Sequence, residues 1–316
     1  PPPFRGRLFH SGVLKRSFSS EVSLAHFRFL FVASKKEHYI YILPAVIILA
    51  IIVIFPTIFL WYISFTNYDL TMGWENKEFT GLDNFLYLMR DDKDFWNALK
   101  LSLLFMIMTV TAELCLGFLT ALLFNRELKW KRLWIAFLIV PMVMTPAIVS
   151  LMWKLMLNTE YGVLNYMLSW VALPKINWLG YEKAFWSIML VEIWQWTPFM
   201  ALILYAGLQA LPREPFEAAE VDGASFIQTL HYLTVPMLKP IIAIALLLRS
   251  IDALKIFDIV YGLTQGGPGN STEVMSLHIF RLGFRHTNWM GRASANAVIL
   301  LLLSTPLITL LSKSLK

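Results

Sequence analysis

An apolar segment at residues 241–263 contains four ionisable side chains, one at every third position: Arg249, Asp252, Lys255 and Asp258. If the segment is one helix, each step of three turns the side chain by about 60°, so the four form a slanting stripe. A charge in an apolar environment costs free energy unless it is paired or hydrated. Two interpretations follow: a hydrophilic pathway for a polar solute, or structural pairs in which Arg249 neutralises Asp252 and Lys255 neutralises Asp258.

A second apolar segment, residues 185–208, has polar and aromatic side chains at its centre. An aromatic face beside amide and hydroxyl groups suits a sugar, because a sugar ring has apolar C–H faces and a rim of hydroxyls. Pro198 removes a helix hydrogen bond and can open the helix towards a cavity. A tryptophan in such a segment is more often a packing residue, so the polar Gln195 and Thr197 are the stronger candidates. The side chains predicted to line a solute path are Gln195, Trp196, Thr197, Asp252 and Asp258.

Sequence motifs of catalysis are absent. The chain has no Walker-type phosphate loop, no nucleophile elbow, and no histidine or carboxylate spacing typical of a metal site. Its single cysteine, Cys115, lies inside an apolar segment, which leaves neither a disulfide nor a cysteine metal site. The chain is therefore not predicted to be an enzyme or to hold a cofactor or metal. If it transports a solute at the expense of ATP, a separate subunit must bind ATP and Mg²⁺.

Hydropathy predicts the elements that position these side chains. Hydrophobic residues make up 57% of the chain and charged residues 15%, and the mean hydropathy of +0.60 is too high for a soluble domain. Because a membrane span needs about 20 apolar residues, we expect an all-α, polytopic membrane protein with six transmembrane helices. Residues 1–37 are predicted to be an N-terminal tail and residues 38–316 one membrane domain. The predicted spans are 39–65, 101–124, 133–157, 185–208, 241–263 and 293–311.

One predicted span, 101–124, contains a single carboxylate, Glu113. Gly117 and Ala121 follow it at intervals of four, and small residues at that spacing let two helices approach closely. We therefore expect this face to lie inside the helix bundle and to be chiefly a packing face.

The distribution of basic residues predicts the orientation. With the N-terminus in the cytoplasm, the termini and loops on that side carry fifteen Lys and Arg, whereas the longer loops on the other side carry eight. This excess places both termini and residues 209–240 in the cytoplasm. The same rule accounts for the net charge of +6, so the charge does not indicate a nucleic-acid partner.

The polar stretch between the fourth and fifth predicted spans should form two short helices joined by a turn. Pro215 suits a first helical turn, where its missing N–H would be unpaired anyway, and Gly223 can take the left-handed conformation that ends a helix. Ser225 and Gln228 form a capping box for the second helix, which Pro236 is expected to end. A compact helix–turn–helix of this kind is a docking surface, not a span.

The spacing within this stretch resembles the EAA loop of binding-protein-dependent ABC importer permeases. That motif consists of Glu-Ala-Ala, a Gly and then Ile-x-Leu-Pro, and the same spacing here begins at Glu217, with Leu233 and Val235 as conservative departures. The resemblance implies that the loop docks on an ATPase, with Glu217 paired to a basic residue there. The residues it assigns to ATPase coupling are Glu217, Ala218, Ala219, Asp222, Gly223 and Pro236.

Two further motifs resemble the carbohydrate-uptake permeases of the same family, so that the resemblance covers about residues 38–316. One is the pair Pro141 and Pro146 followed by Trp153 and by a Gly-x-x-Asn sequence that ends at Asn165. The other is Thr-Gln-Gly-Gly-Pro-Gly at residues 264–269. In that family this outer loop reaches towards the binding protein and helps to release its ligand.

The resemblance implies a type I ABC importer in a bacterial or archaeal cytoplasmic membrane. Such an assembly has two different six-span permeases, two copies of an ATPase and one extracytoplasmic sugar-binding protein. The implied solute is a sugar, most simply a di- or oligosaccharide. ATP binding would draw the docked loops together and turn the cavity outward, and hydrolysis would return it inward.

Other functions stay open at this point. The same family role could serve another polar solute, such as glycerol phosphate. An ion-coupled secondary transporter could use the charged stripe, but the internal inverted repeats typical of that class are not visible. A membrane enzyme would need a cluster of catalytic groups near one interface, and the sequence has none.

Overall fold

A computed structural model describes residues 35–285 and 289–313 of the chain. Nearly all of the predicted N-terminal tail, residues 1–37, lies outside this described part. The described residues are mostly helical, and their one β contact is an isolated bridge between Thr66 and Phe79. The chain divides into two compact units, Pro1–Ile58 and Phe59–Lys316. The all-α prediction is confirmed.

The described part of the first unit, residues 35–58, lies within one apolar helical run. Helix α1, Lys35–Leu49, continues through a π-turn, Ala50–Ile54, into α2, Phe55–Ser64. The stretch Tyr41–Ser64 is long and apolar enough to cross a membrane. This run coincides with the first predicted span.

The second unit contains the remaining described helices, which pack around a core of apolar side chains from α4, α8, α11 and α14. In chain order these helices are α3 Asp83–Arg90, α4 Lys93–Asn125, α5 Lys131–Val143, α6 Pro146–Met156, α7 Val163–Trp170, α8 Ala184–Gln209, α9 Glu214–Val221, α10 Phe226–Thr229, α11 Val235–Leu254, α12 Asp258–Leu263, α13 Met275–Phe280 and α14 Met290–Lys313.

The two longest helices, α4 and α8, form the centre of the second unit, and both are apolar enough to span a membrane. Their contact is close at Gly117, where a Cβ atom would lie 2.6 Å from the Cβ of Met200. Any larger residue would force the helices apart. The predicted packing face of Glu113, Gly117 and Ala121 is thus buried, as expected.

The prediction of one helix over residues 133–157 was wrong. Helices α5 and α6 meet at an angle of 96°. The break follows from Pro146, which opens α6, because a residue before proline avoids the helical conformation and Thr145 is extended at ψ 132°. The two helices together form a broken span or a re-entrant segment.

The fifth predicted span is also interrupted. Helix α11 begins earlier than expected, at Val235, and ends at Leu254, where Lys255 is its C-cap. Asp258 then begins α12, which packs against α6, so the four charges do not lie on one helix. The apolar pattern does not show this break, because Ile259, Val260 and Leu263 would be equally apolar on a continued helix; packing against the cluster around Trp153 decides it.

The number of spans is not settled by helix length and composition. In the described residues, three helical runs pass as spans, or four if α5 and α6 count as one. Helix α14 covers the sixth predicted span, 293–311. Charged residues near the C-terminal end of α11, Arg249 and Asp252, reduce its apolarity, and they prove to be the main feature of the site.

Candidate functional site

A charged cluster lies inside the helix bundle around Arg249. Its guanidinium donates to both carboxylate oxygens of Glu113, from Nε at 2.8 Å and from Nη2 at 2.9 Å. Nη2 also donates to Glu192 at 2.9 Å, and Nη1 donates to Asp252 at 2.6 Å. We call these four residues the membrane cluster. It joins α4, α8 and α11.

Because the cluster is buried, it strongly constrains how α4, α8 and α11 pack together. The side chain of Arg249 is 1% exposed and that of Glu113 is fully buried. Removing one partner from a buried ion pair costs about 3–5 kcal/mol, because the other charge is left unpaired in a medium of low dielectric. The structural interpretation of the charged stripe therefore holds for Arg249 and Asp252. The other expected pair, Lys255 with Asp258, is not formed among the described residues.

Sequence reasoning missed the two glutamates as partners of this arginine. Glu113 was expected only to face the interior, and Glu192 was not singled out as a pairing residue. A usable signal was present, since each of the two carboxylates sits inside an apolar segment and needs a cation. The bond between Glu113 and Arg249, however, spans 136 positions of the chain.

A small cavity of about 130 Å³ adjoins the cluster. It brings together three of the five residues predicted for the solute path, namely Trp196, Asp252 and Asp258. The Asp252 side chain is 59% exposed, so it belongs both to the ion-pair network and to the cavity wall. The full set of lining residues is Pro146, Glu192, Trp196, Asp252, Lys255, Ile256, Phe257, Asp258 and Ile259.

The other two predicted path residues lie elsewhere. Gln195 is fully buried, and its Nε2 donates to the carbonyl of Met144 at 3.0 Å. That carbonyl lies at the break between α5 and α6, so Gln195 supports the bend. Thr197 donates to the carbonyl of Ile193 at 2.6 Å and lines a separate, apolar cavity of about 930 Å³.

The polar stretch forms the expected helix–turn–helix. Pro215 lies in the first turn of α9. Gly223 has a φ of +73°, and beside it the N–H of Ala224 donates to the carbonyl of Ala219 at 2.9 Å. Ser225 forms both halves of the capping box for α10.

The prediction that Pro236 ends the second short helix was wrong. Pro236 lies instead in the first turn of α11. Helix α10 continues through a π-turn, Leu230–Thr234, in which the N–H of Val235 bonds to the carbonyl of Leu230. This wider turn shifts the hydrogen-bond ladder, so the chain passes the proline without a helix end.

The loop presents apolar side chains to solvent. Val221 is 87% exposed and Ile227 75%, and Glu217 is exposed beside them. An exposed apolar patch with a carboxylate at its edge is typical of a surface that binds another protein. Other large exposed side chains here are Phe226 and Tyr232.

Comparison with known proteins identifies the same family that the residue spacing from Glu217 to Pro236 resembles. Residues 113–313 match the family described as the binding-protein-dependent transport system inner membrane component. The chain belongs to this family. It is a permease subunit of an ABC importer, as the sequence motifs indicated.

The curated relatives of this permease include sugar transporters. It is 37% identical over 276 residues to the trehalose/maltose transport system permease protein MalF of Thermococcus litoralis, covering 87% of this chain and 92% of the relative. It is also 37% identical over 262 residues to the sulfoquinovosyl glycerol transport system permease protein SmoG of Agrobacterium fabrum, covering 83% and 84%.

Solved structures confirm the fold. A chain of a bacterial ABC transporter involved in the import of the acidic polysaccharide alginate matches with a TM-score of 0.76 at 22% identity, covering 93% of the permease and 97% of that chain. An identity this low supports the importer fold and nothing more specific.

The permease has a second charged cluster, outside the apolar parts of its helices. His278 contacts Glu273 through Nδ1 at 2.8 Å and Asp92, the N-cap of α4, through Nε2 at 3.1 Å. Arg281 pairs with the same Glu273 and donates to the carbonyl of Gln265 at 2.8 Å. We call Asp92, Glu273, His278 and Arg281 the outer cluster. It fastens the glycine-rich loop at 264–269 to the start of α4.

The outer cluster borders a cavity of about 610 Å³ and changes the titration of its members. Burial opposes the charged imidazolium, but hydrogen bonds to Asp92 and Glu273 outweigh it and raise the pKa of His278 to about 9. Burial alone would raise the pKa of the Asp92 carboxyl, but the hydrogen bond and the charge of His278, together with the backbone N–H groups of Phe95 and Asp94, lower it below its usual value. The described residues contain no group of three or more His, Cys, Asp and Glu that could hold a metal.

The Gly-x-x-Asn motif fastens another loop of the permease. The side chain of Asn165 donates to the carbonyls of Thr159 and Ile176 and accepts from the N–H of Ile176 and from Nε1 of Trp178. One asparagine thus uses both its donor and its acceptor atoms to close the segment between α6 and α8.

Proposed function

We propose that this permease is one subunit of an ATP-driven importer that carries a sugar, delivered by an external binding protein, across the cytoplasmic membrane. One observation carries the proposal. We call α9, α10 and the turn between them the docking loop. The helical run at residues 226–254, formed by α10, the π-turn and α11, begins in this loop and ends at the cavity with Asp252. At 1.5 Å per residue this run spans about 40 Å, so a displacement of the loop moves the cavity wall directly.

The proposed assembly contains two ATPase subunits, a second, different permease and the binding protein, with ATP and Mg²⁺ held by the ATPases. The family description, which names a binding-protein-dependent system, supports the external protein. One structure of similar fold is an alginate transporter in complex with a pentasaccharide-bound periplasmic protein. In this assembly ATP binding draws the docking loops together and opens the cavity outward, and hydrolysis reverses the change. Both chain termini and the loop face the cytoplasm.

The proposed solute is a di- or oligosaccharide. The names of the trehalose/maltose and sulfoquinovosyl glycerol relatives support a sugar. Three carboxylates, Glu192, Asp252 and Asp258, and one cation, Lys255, line the cavity beside Trp196, a set that favours an uncharged ring with hydroxyls. Glycerol phosphate, the alternative, would bring a dianion to these carboxylates.

The test is transport by the reconstituted complex in proteoliposomes. Radiolabelled maltose, trehalose and glycerol 3-phosphate are offered with loaded binding protein, and uptake and ATP hydrolysis are measured together. We expect ATP-dependent uptake of a sugar and no hydrolysis by the purified permease alone. Preferential uptake of glycerol 3-phosphate would mean that the transported solute is glycerol phosphate and not a sugar. ATP hydrolysis by the purified permease alone would contradict the proposal.

The coupling role of the loop has its own variant and control. Glu217→Lys should abolish uptake while the complex still binds the loaded binding protein, because the charge at the docking surface is reversed. Glu220→Lys makes the same charge change at another exposed position of α9 and should retain most of the uptake. Normal uptake by Glu217→Lys would remove Glu217 from the coupling surface.

A further inference from the structure

Arg249 contacts every member of the membrane cluster and also an aromatic ring. Its guanidinium carbon lies 4.5 Å from the ring centroid of Trp196, in addition to its bonds with the three carboxylates. Three of these partners, Glu192, Trp196 and Asp252, line the cavity, whereas Arg249 itself does not. The arginine therefore stands behind the cavity wall and touches the two groups in that wall best suited to a sugar.

We propose that Arg249 is a positioning residue, which holds Asp252 and Trp196 as the sugar-contacting wall of this cavity. The proposal rests on the proposed function, because it names the part of the permease that contacts the sugar. It adds a role for a residue that the sugar does not reach.

Carboxylates on two other helices fix the position of the Arg249 side chain. Glu113, on α4, binds it through two hydrogen bonds of 2.8 and 2.9 Å, and Glu192, on α8, adds a third. A guanidinium is planar and its donors have fixed directions, so these bonds also set the direction of Nη1. Nη1 in turn holds Asp252 at 2.6 Å. An ammonium group could not hold all three carboxylates in this geometry.

The cavity offers an internal comparison. Asp258 lines the same cavity as Asp252 and is likewise exposed, but it forms no ion pair with Arg249 and lies on a different helix, α12. Asp252 is thus held in place, whereas Asp258 has no such support from the membrane cluster. Any effect of Arg249 on transport should pass through Asp252 and not through Asp258.

The chemistry of this wall suits one uncharged sugar ring. A carboxylate accepts hydrogen bonds from hydroxyls, and an aromatic ring packs against C–H groups. Holding both groups in place before the sugar arrives avoids the loss of side-chain freedom on binding. A sugar carrying its own carboxylate or phosphate would meet Asp252 as a like charge.

The experiment uses the complete reconstituted transporter, saturated with binding protein loaded with whichever of maltose and trehalose the wild type takes up. Two quantities are measured: sugar molecules taken up per ATP hydrolysed, and the rate of hydrolysis stimulated by the binding protein. Arg249→Lys, which keeps the charge, and Asp252→Ala should each lower the first quantity about tenfold, the effect of losing a hydrogen bond to a charged group. The fall in uptake should therefore exceed any fall in hydrolysis.

Double variants separate positioning from a general structural role. Arg249→Lys combined with Asp252→Ala should be no worse than either change alone, since both remove the same interaction. Arg249→Lys combined with Asp258→Ala should show the product of the two single effects. Independent effects in the first pair would overturn the proposal, as would an equal loss of uptake and hydrolysis.

The remaining outcomes are also decisive. If Arg249→Lys reduces the amount of assembled complex, the cycle is repeated with Glu113→Gln/Glu192→Gln/Arg249→Gln in place of Arg249→Lys, because this triple change removes the buried charges together. Failure of the triple variant to assemble would assign Arg249 to folding alone and overturn the proposal. A wild-type complex that takes up neither sugar would contradict the proposed function before any variant is compared.

Discussion

Two charged clusters join distant segments of the permease, and they differ in the group at their centre. In the membrane cluster the guanidinium of Arg249, 1% exposed, binds carboxylates from α4, α8 and its own helix. In the outer cluster the imidazole of His278 binds Asp92 and Glu273 beside a wide cavity. A guanidinium stays charged at every pH that a cell meets, whereas the imidazole of His278 loses its charge as the pH rises through about 9. The first connection is therefore insensitive to pH, and the second is lost only at alkaline pH.

The two clusters support different parts of the permease. The membrane cluster adjoins the cavity at the end of the helical run 226–254. The outer cluster fastens the glycine-rich loop at 264–269 to the start of α4. Only the outer connection should respond to a change of pH.

The largest expected effect is that of Arg249→Ala. The variant leaves Glu113 and Glu192 buried without their cation, which should lower the free energy of unfolding by about 3–5 kcal/mol. Thermal unfolding of the purified permease in detergent measures this. Lys255→Ala removes an exposed cation from the same region and should change the stability by less than about 0.5 kcal/mol. Equal unfolding temperatures of the two variants would mean that the membrane cluster contributes no stability.

Alkaline pH should open the outer cluster and leave the membrane cluster closed. The pKa of His278 is raised from 6.5 to about 9, so its stabilising contribution is complete below pH 6.5 and is lost as the pH rises through about 9. This shift corresponds to about 3 kcal/mol at most. Hydrogen exchange of residues 264–285, corrected for its intrinsic pH dependence, should increase over that range, while exchange around Arg249 stays constant. A uniform increase in both regions would show that the clusters do not differ.

His278→Gln should remove this pH dependence. Glutamine can keep one hydrogen bond to Asp92 or Glu273 but carries no charge, so we expect a loss of about 1–2 kcal/mol in the outer segment at pH 7. The exchange of that segment should then be flat between pH 7 and 10. The control is His231→Gln, an exposed histidine in the π-turn before α11, which should retain the wild-type profile.

The smallest effect concerns an uncharged polar group. Gln195→Ala removes the hydrogen bond to Met144 at the break between α5 and α6, with an expected loss of about 1 kcal/mol. Thr197→Ala, two positions away, removes only a bond within its own helix and should be close to neutral. We expect Gln195→Ala to weaken transport without lowering the amount of assembled complex; if the complex fails to assemble, Gln195 is structural.

Much of the fold was predictable from local signals. The docking loop followed from Pro215, Gly223 and the capping box at Ser225, because each acts within a few residues of itself. The third predicted span showed no break in its apolar pattern, although it bends by 96° at Pro146. The role of Pro236 was misjudged, since a π-turn that accommodates a proline leaves no residue pattern of its own. The interruption after Leu254 was hidden for a similar reason: the apolar residues on either side fit one helix as well as two.

The amino-acid sequence by itself determined the helical class, the apolar segments, the family and the residues that carry charge into the membrane. These properties depend on composition and on short spacings. Only the tertiary structure decided which charges meet. One of the two interpretations of the charged stripe paired Arg249 with Asp252 on its own helix, and that pair forms. Arg249 also makes two hydrogen bonds to Glu113, 136 positions away. Three helices must first pack before those bonds exist, and the cost of an unpaired buried charge then makes their arrangement specific.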